Sequence, residues 1–373
     1  MTFLSFVLAF IGFALLVILH ELGHFSAAKA VGMRVEKFSL FFPPTVFSRK
    51  IGETEYAIGS IPAGGYVKIS GMNPDEDLPE EVRDRAYHAQ PVWKRIVVIG
   101  AGPAVNLVLA FVLLFIFFAA IGPETGTRNV GSTEKSYPAA GVLHPGDRLV
   151  SVDGQRGTPE QLANVINRHG CAGPKSDWEA GCRAQTPAKL TVVRDGRRQT
   201  FMLTPKYDPA ALLDPDSETR GRMRVGFSYQ PGPRDRYALD DSFHYTALNF
   251  WDFTKATAEL PARLIDPEKR KEISGVVGSY EVTRQTILVD VEQVVMILAV
   301  ISLSLAIVNL FPFLPLDGGH IFWAIVEKVR GKPVSLAVME KAGVVGFMLV
   351  ILIFLIGLSN DIGRLSGEGF QVR

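Results

Sequence analysis

The chain has 373 residues, 47% of them hydrophobic, with 39 Lys and Arg against 38 Asp and Glu. That balance offers no basic surface to nucleic acid, and two cysteines are too few for a cysteine-built metal site. The averages conceal segregation, because long uncharged runs alternate with polar stretches, the profile of an integral membrane protein carrying a soluble insert.

Residues 1–32 read as a first membrane helix. The segment has neither a basic leader nor a small-residue cleavage signal, so it is expected to be retained. Its apolar run carries no charge before Glu21, and His20, Glu21 and His24 then fall within five positions. A charged group at the centre of a membrane helix costs roughly 2.5–3.5 kcal/mol, so this trio calls for a partner, and a metal ion is the obvious one. His20 and His24 are four apart, which puts both imidazoles on one helix face within reach of one ion. In H-E-x-x-H the histidines bind zinc, which lowers the pKa of a water to about 7, and the glutamate is the general base.

Residues 33–93 form a polar loop. Within it Glu55–Ile69 contains two β-rich runs around Pro62 and Gly64-Gly65, which predicts a hairpin. Its edge either offers backbone groups to an extended peptide or is simply structural. Asn73–Arg85 reads as a charged solvated linker. Residues 94–121 contain the second span, with an uncharged stretch at 96–121, where Gly100, Gly102 and Pro103 precede Asn106. Asn106 is accounted for both by hydrogen bonding between helices and by placement beside the metal site.

In 122–207, the run Ser136–Gly154 reads as a short helix, a Pro-Gly turn and an alternating strand. Thr158–Arg168 follows as a capped amphipathic helix, and Ala188–Thr204 as a hairpin about Asp195-Gly196. The run PAAGVLHPGDRLVSVDG closely resembles a PDZ domain over residues near 125–205, which implies an α+β unit with a groove for peptide C-termini. Cys171 and Cys182 sit in an insertion in this unit and are expected to pair, since a disulfide persists outside the cytoplasm. Residues 208–292 begin with a linker rich in Asp and Pro (208–235). At 240–265 they mix aromatic and charged residues, the pattern of an interfacial amphipathic helix or of one packed on the PDZ-like unit.

Residues 293–320 hold the third span, broken by Pro312 and Pro315 before Asp317. Freed backbone at membrane depth is tolerated only in protein or in a polar cavity, and Asp317 supplies a third zinc ligand with a position left open. His320 fits a supporting or a structural role equally well. A loop at 321–341 leads to the fourth span and tail, 342–373. Arg34, Lys37, Arg49, Lys50 and Lys68 in the first loop, and Lys328, Arg330, Lys332 and Lys341 in the last, place both loops in the cytoplasm. Both termini and the 122–292 insert then lie outside it.

HELGH in the first span, GPAVN in the second and NLFPFLPLDGG in the third, together with TEYAIGSIPAGGYVKISGM, SGVVG at 274–278 and NDIGRL at 360–365, resemble the site-2 protease family of intramembrane zinc metalloproteases. The order resembles its bacterial branch with a PDZ insert. The resemblance implies a polytopic α-helical membrane protein with four transmembrane helices, a membrane-associated β-hairpin and the extracytoplasmic PDZ-like domain, in the bacterial inner membrane. It implies His20, His24 and Asp317 as ligands to Zn2+, Glu21 as catalytic base, and Asn309, Pro312 and Asn106 in positioning substrate. It also implies transmembrane proteins such as anti-sigma factors, or leftover signal peptides, as substrates within the lipid bilayer, and no nucleic acid. Phe41-Phe42-Pro43-Pro44 stands where many members have Gly-x-Gly, and there is one PDZ-like unit where some have two. A scaffold that has lost catalysis and a transporter are the competing readings; the intact trio with Asp317 opposes the first, and the confinement of intramembrane charge to one set opposes the second.

Overall fold

The computed structural model describes residues 2–73, 76–212, 220–270 and 273–366. They form two compact units, one of 1–121 with 237–373 and one of 122–236.

The first unit is built on helices. The elements are α1 (Thr2–Ala30), β1 (Val35–Ile51), β2 (Thr54–Ile69), the single turn α2 (Glu80–Arg83) and α3 (Val92–Ile116), which continues as a π-helical turn to Ile121. Among the described residues, four helical stretches are long and apolar enough to cross a membrane: Phe3–Ala30, Val92–Ile121, Val291–Asn309 and Ala337–Ser366. Many large apolar side chains on these helices are exposed, including Leu4, Val108, Val344 and Phe354, as expected for surfaces that meet lipid rather than water.

The β segment differs from the hairpin expected about Pro62 and Gly64-Gly65. The chain reverses at Gly52, whose φ of 62° suits the turn, so β1 and β2 are the paired strands. Residues 37–40 pair with 65–68 on one side and with 55–58 on the other, and 47–51 return to pair with 54–58. The two β-rich runs therefore flank the first strand segment instead of pairing with each other. Pro43 and Pro44 lack the N–H groups that a continuous ladder requires, and Phe41 takes a φ of 72°, so β1 is interrupted there and its second half folds back. At the base, Glu53 accepts hydrogen bonds from Lys29 Nζ (2.7 Å) and Arg85 Nη1 (2.8 Å). The expected linker after the sheet includes α2; residues 74–75 lie outside the described residues.

The second unit carries β3 (Glu124–Thr133), β4 (Arg148–Val152), α4 (Pro159–Asn167), β5 (Ala188–Arg194), β6 (Arg197–Leu203), β7 (Lys206–Leu212), β8 (Arg220–Arg224) and β9 (Phe227–Arg234). A five-stranded sheet runs β6-β5-β4-β3-β9, and β7 pairs with β8. Leu143, Leu149, Leu162, Leu190 and Val192 form its buried core. Thr158 and Gln161 cap α4 reciprocally. Asp147 is buried, taking Arg194 Nε at 2.7 Å and His144 N at 2.8 Å, and the guanidinium holds its carboxyl below the usual range.

Residues 208–235 are not a linker, because β7, β8 and β9 lie there and β9 joins the main sheet through β3; its prolines at 231 and 233 sit on an edge strand, where a missing N–H is tolerated. The unit thus runs to Arg236, not 207. Pro138 and the positive φ of Gly141 leave turns, not a helix, over 136–143. Cys171 and Cys182 are joined, with Cα atoms 6.2 Å apart, beside Trp178, Met223 and Tyr207.

The chain returns to the first unit through α5 (Leu239–Ala258), the single turns α6 (Leu260–Arg263) and α7 (Pro267–Arg270), α8 (Val276–Val289), α9 (Val294–Asn309), α10 (Asp317–Arg330) and α11 (Leu336–Ser366). Phe111 of α3 meets both Phe243 and Phe250, so α5 packs on a membrane-type helix. The expected loop 321–341 is mostly helix: α10 runs on to Arg330, where Gly331 at φ 69° ends it, and α11 starts at Leu336, not 342. The expected tail beyond Ser366 lies outside the described residues.

SGVVG and NDIGRL meet. The Asp361 carboxylate is fully buried and accepts from Gly275 N (3.0 Å) and Gly278 N (2.7 Å), fixing the start of α8 to α11.

Candidate active site

Three side chains from two distant parts of the sequence converge. His20 and His24 leave the same face of α1, and Asp317 is the first residue of α10, after the chain breaks at 310–316. His20 Nε2 is 3.2 Å from Asp317 Oδ2, His24 Nε2 is 3.3 Å from it, and the two Nε2 atoms are 3.2 Å apart. Among the described residues these three are the one His, Cys, Asp or Glu group close enough to hold a metal.

The triangle fits zinc. Ligand atoms about 2.0–2.2 Å from a tetrahedral centre stand roughly 3.3–3.6 Å from one another, close to the separations found here. Asp317 Oδ2 is buried and accepts no hydrogen bond, which a cation would remedy. Two imidazoles and a carboxylate form a three-ligand set that leaves one position open, as a catalytic zinc site requires.

Helix α3 orients both imidazoles. His24 Nδ1 lies 2.9 Å from the Val98 carbonyl and donates to it, leaving Nε2 as the lone pair facing the triangle. The fully buried Asn106 amide is 3.3 Å from His20 Nδ1, and its Oδ1 has no partner. Turning that amide by 180° brings Oδ1 to accept from Nδ1–H, which satisfies the buried oxygen and leaves His20 Nε2 free for a metal. Ser302 of α9 donates to the Asn106 main-chain carbonyl at 2.9 Å, while the Asn106 side chain reaches His20 of α1, so bonding between helices and placement beside the histidines meet in one residue.

Glycines make the approach possible. A Cβ on Gly102 would lie 2.3 Å from His24 Nε2, and one on Gly23 would lie 2.6 Å from the Ala101 carbonyl oxygen. Glu21 lies against the sheet, where a Cβ on Gly65 would stand 2.9 Å from its Cγ. Strand β2 therefore passes directly over the carboxylate beside the metal-ready triangle.

The other expected residues are placed by the fold alone. Asn309 ends α9 half-buried, Pro312 is exposed in the break, and His320 stays outside the donor set. Val98 had drawn no attention from sequence and acts through its carbonyl; Gly65 was read only as part of a hairpin signal and acts through the absence of a side chain.

Comparison with known proteins agrees with this chemistry. The profile of peptidase family M50 matches residues 8–353. Over 371 residues the chain is 30% identical to a protein of Brucella suis biovar 1 named as a candidate zinc metalloprotease, covering 93% of this chain and 92% of that one. A similarly named protein of Xylella fastidiosa (strain Temecula1) is 27% identical over 436 residues, covering 94% and 97%. Metalloprotease MmpA of Caulobacter vibrioides is 28% identical over 390 residues, covering 94% and 93%. Matched along nearly its whole length, the chain belongs to peptidase family M50, the site-2 proteases, and is a zinc metalloprotease with the apolar helices of a multi-pass membrane protein.

Proposed function

We propose that the protein cleaves peptide bonds within the transmembrane segments of single-span membrane proteins or leftover signal peptides. The observation that supports this reading is that the donor triangle is made by α1, an apolar helix, and by the helix that follows a break in another apolar segment. His20, His24 and Asp317 would hold zinc, which when bound supplies Lewis acidity to polarise a carbonyl and acidify a water. Glu21, one residue from His20, would take a proton from the attacking water and deliver it to the leaving amine. Asn106 and Val98 keep the imidazoles turned so that their Nε2 atoms face inward. Strand β2, passing over Glu21, presents backbone groups that an extended substrate can pair with, while Asn309 and Pro312 position the unwound chain. A helical substrate must unwind first, because its peptide carbonyls are hydrogen-bonded and covered.

The first and last polar loops are cytoplasmic on this reading. The termini and the PDZ-like 122–236 unit then lie outside a bacterial inner membrane, where that unit would bind peptide C-termini or filter substrates by size. Purified protein in liposomes with a single-span reporter tests the reaction. Wild type is expected to release fragments and Glu21→Gln to lower the rate by at least about a hundredfold. Equal product from the two would overturn the assignment.

A further inference from the structure

Asp317 opens a helix whose preceding chain is broken, so no straight run of backbone fixes its direction from behind. What α10 packs on must do so. Helix α3 runs antiparallel to it: Arg95 faces Glu327, Gly100 faces Ile321, and Gly102 and Asn106 face the histidines that meet Asp317. The two helices are thus joined at one end by the donor triangle and at the other by an ion pair.

That pair is shielded. Arg95 is 9% exposed. Its Nη1 donates to Glu327 Oε2 at 3.0 Å and its Nη2 to Oε1, and the guanidinium stands 5.9 Å from the centre of the Tyr87 ring. The two-point fork fixes rotation as well as distance. Glu327 is ten residues beyond Asp317, about 15 Å along the helix. A tilt of about 4° over that length moves the carboxylate by roughly 1 Å, whereas metal–ligand distances tolerate only about 0.2 Å.

We propose that Arg95 and Glu327 are positioning residues that set the pose of α10 and so hold Asp317 in register with His20 and His24. The inference rests on the reading of those three as zinc ligands.

The test is zinc competition against a chromogenic chelator on the full-length protein in detergent, comparing wild type, Glu327→Gln, Arg95→Gln and the reversed pair Arg95→Glu with Glu327→Arg. The single variants are expected to hold zinc about tenfold or more weakly, and the reversed pair to regain part of the loss. The effect must also depend on Asp317. In an Asp317→Asn background, where residual binding uses the histidines alone, Glu327→Gln should add little. Wild-type affinity in the single variants would overturn the proposal, as would an equal loss in both backgrounds, which marks general loosening of the fold. His24→Ala separates the two claims: if it keeps wild-type affinity, the ligand assignment itself fails, whereas its loss of zinc beside an unaffected Glu327→Gln sinks only the positioning role.

Discussion

At Gly102 one added carbon decides whether two histidines can share an ion. A Cβ there would stand 2.3 Å from His24 Nε2, and the ring cannot swing aside without giving up its bond to the Val98 carbonyl. Gly102→Ala is expected to cost about 1–3 kcal/mol of stability by overpacking and to weaken zinc binding at least tenfold. Zinc content after gel filtration checks this, and an alanine variant that keeps a full equivalent would show that the helices have room to part. The three residues of the donor triangle were legible in the sequence, because ionisable groups are costly in an apolar run and few roles explain them. Gly102 was legible only as a small residue in a span. Which ring it faces depends on how α3 crosses α1, and Asn106 kept two readings for the same reason.

The elements around the site are tied down by charge at their polar ends. Glu53, in the turn between β1 and β2, is held by Arg85 first and by Lys29 at the end of α1, and its carboxyl drops to about 2 from an ordinary 4.5. A depressed carboxyl stabilises the fold in full above its ordinary value, and that contribution fades as pH falls from about 4.5 toward 2. The groups are about a third exposed, so solvent screening keeps the effect modest. Protease cleavage within 35–69 is expected to rise over that acidic range in wild type and to depend less on pH in Glu53→Gln. Identical pH profiles would remove the tie from the account. The apolar spans, α4 with its cap and the β5–β6 turn were readable from local pattern, whereas α10 was not. The pairing of β1 with two separate parts of β2 was not, because it is set by an interruption at Phe41–Pro44 that acts across the sheet.

Across the whole molecule the chemistry and the insert are separate by composition. His20, Glu21, His24 and Asp317 all belong to the first unit, and the 122–236 unit contributes none of the four. The alternation of apolar and polar stretches made that division readable, but its downstream edge was misplaced. Asp and Pro between 208 and 235 mark a linker by composition, yet β9 pairs with β3, nearly 100 residues earlier, and no local signal announces so distant a partner. The central claim is that the bond cut lies inside the membrane. Mass spectrometry of fragments from a single-span reporter in liposomes, incubated with wild type and with Glu21→Gln, locates that bond. New termini within the reporter's apolar segment are expected from wild type alone. Cleavage confined to the reporter's water-exposed flanks, or the same termini from both proteins, would contradict it.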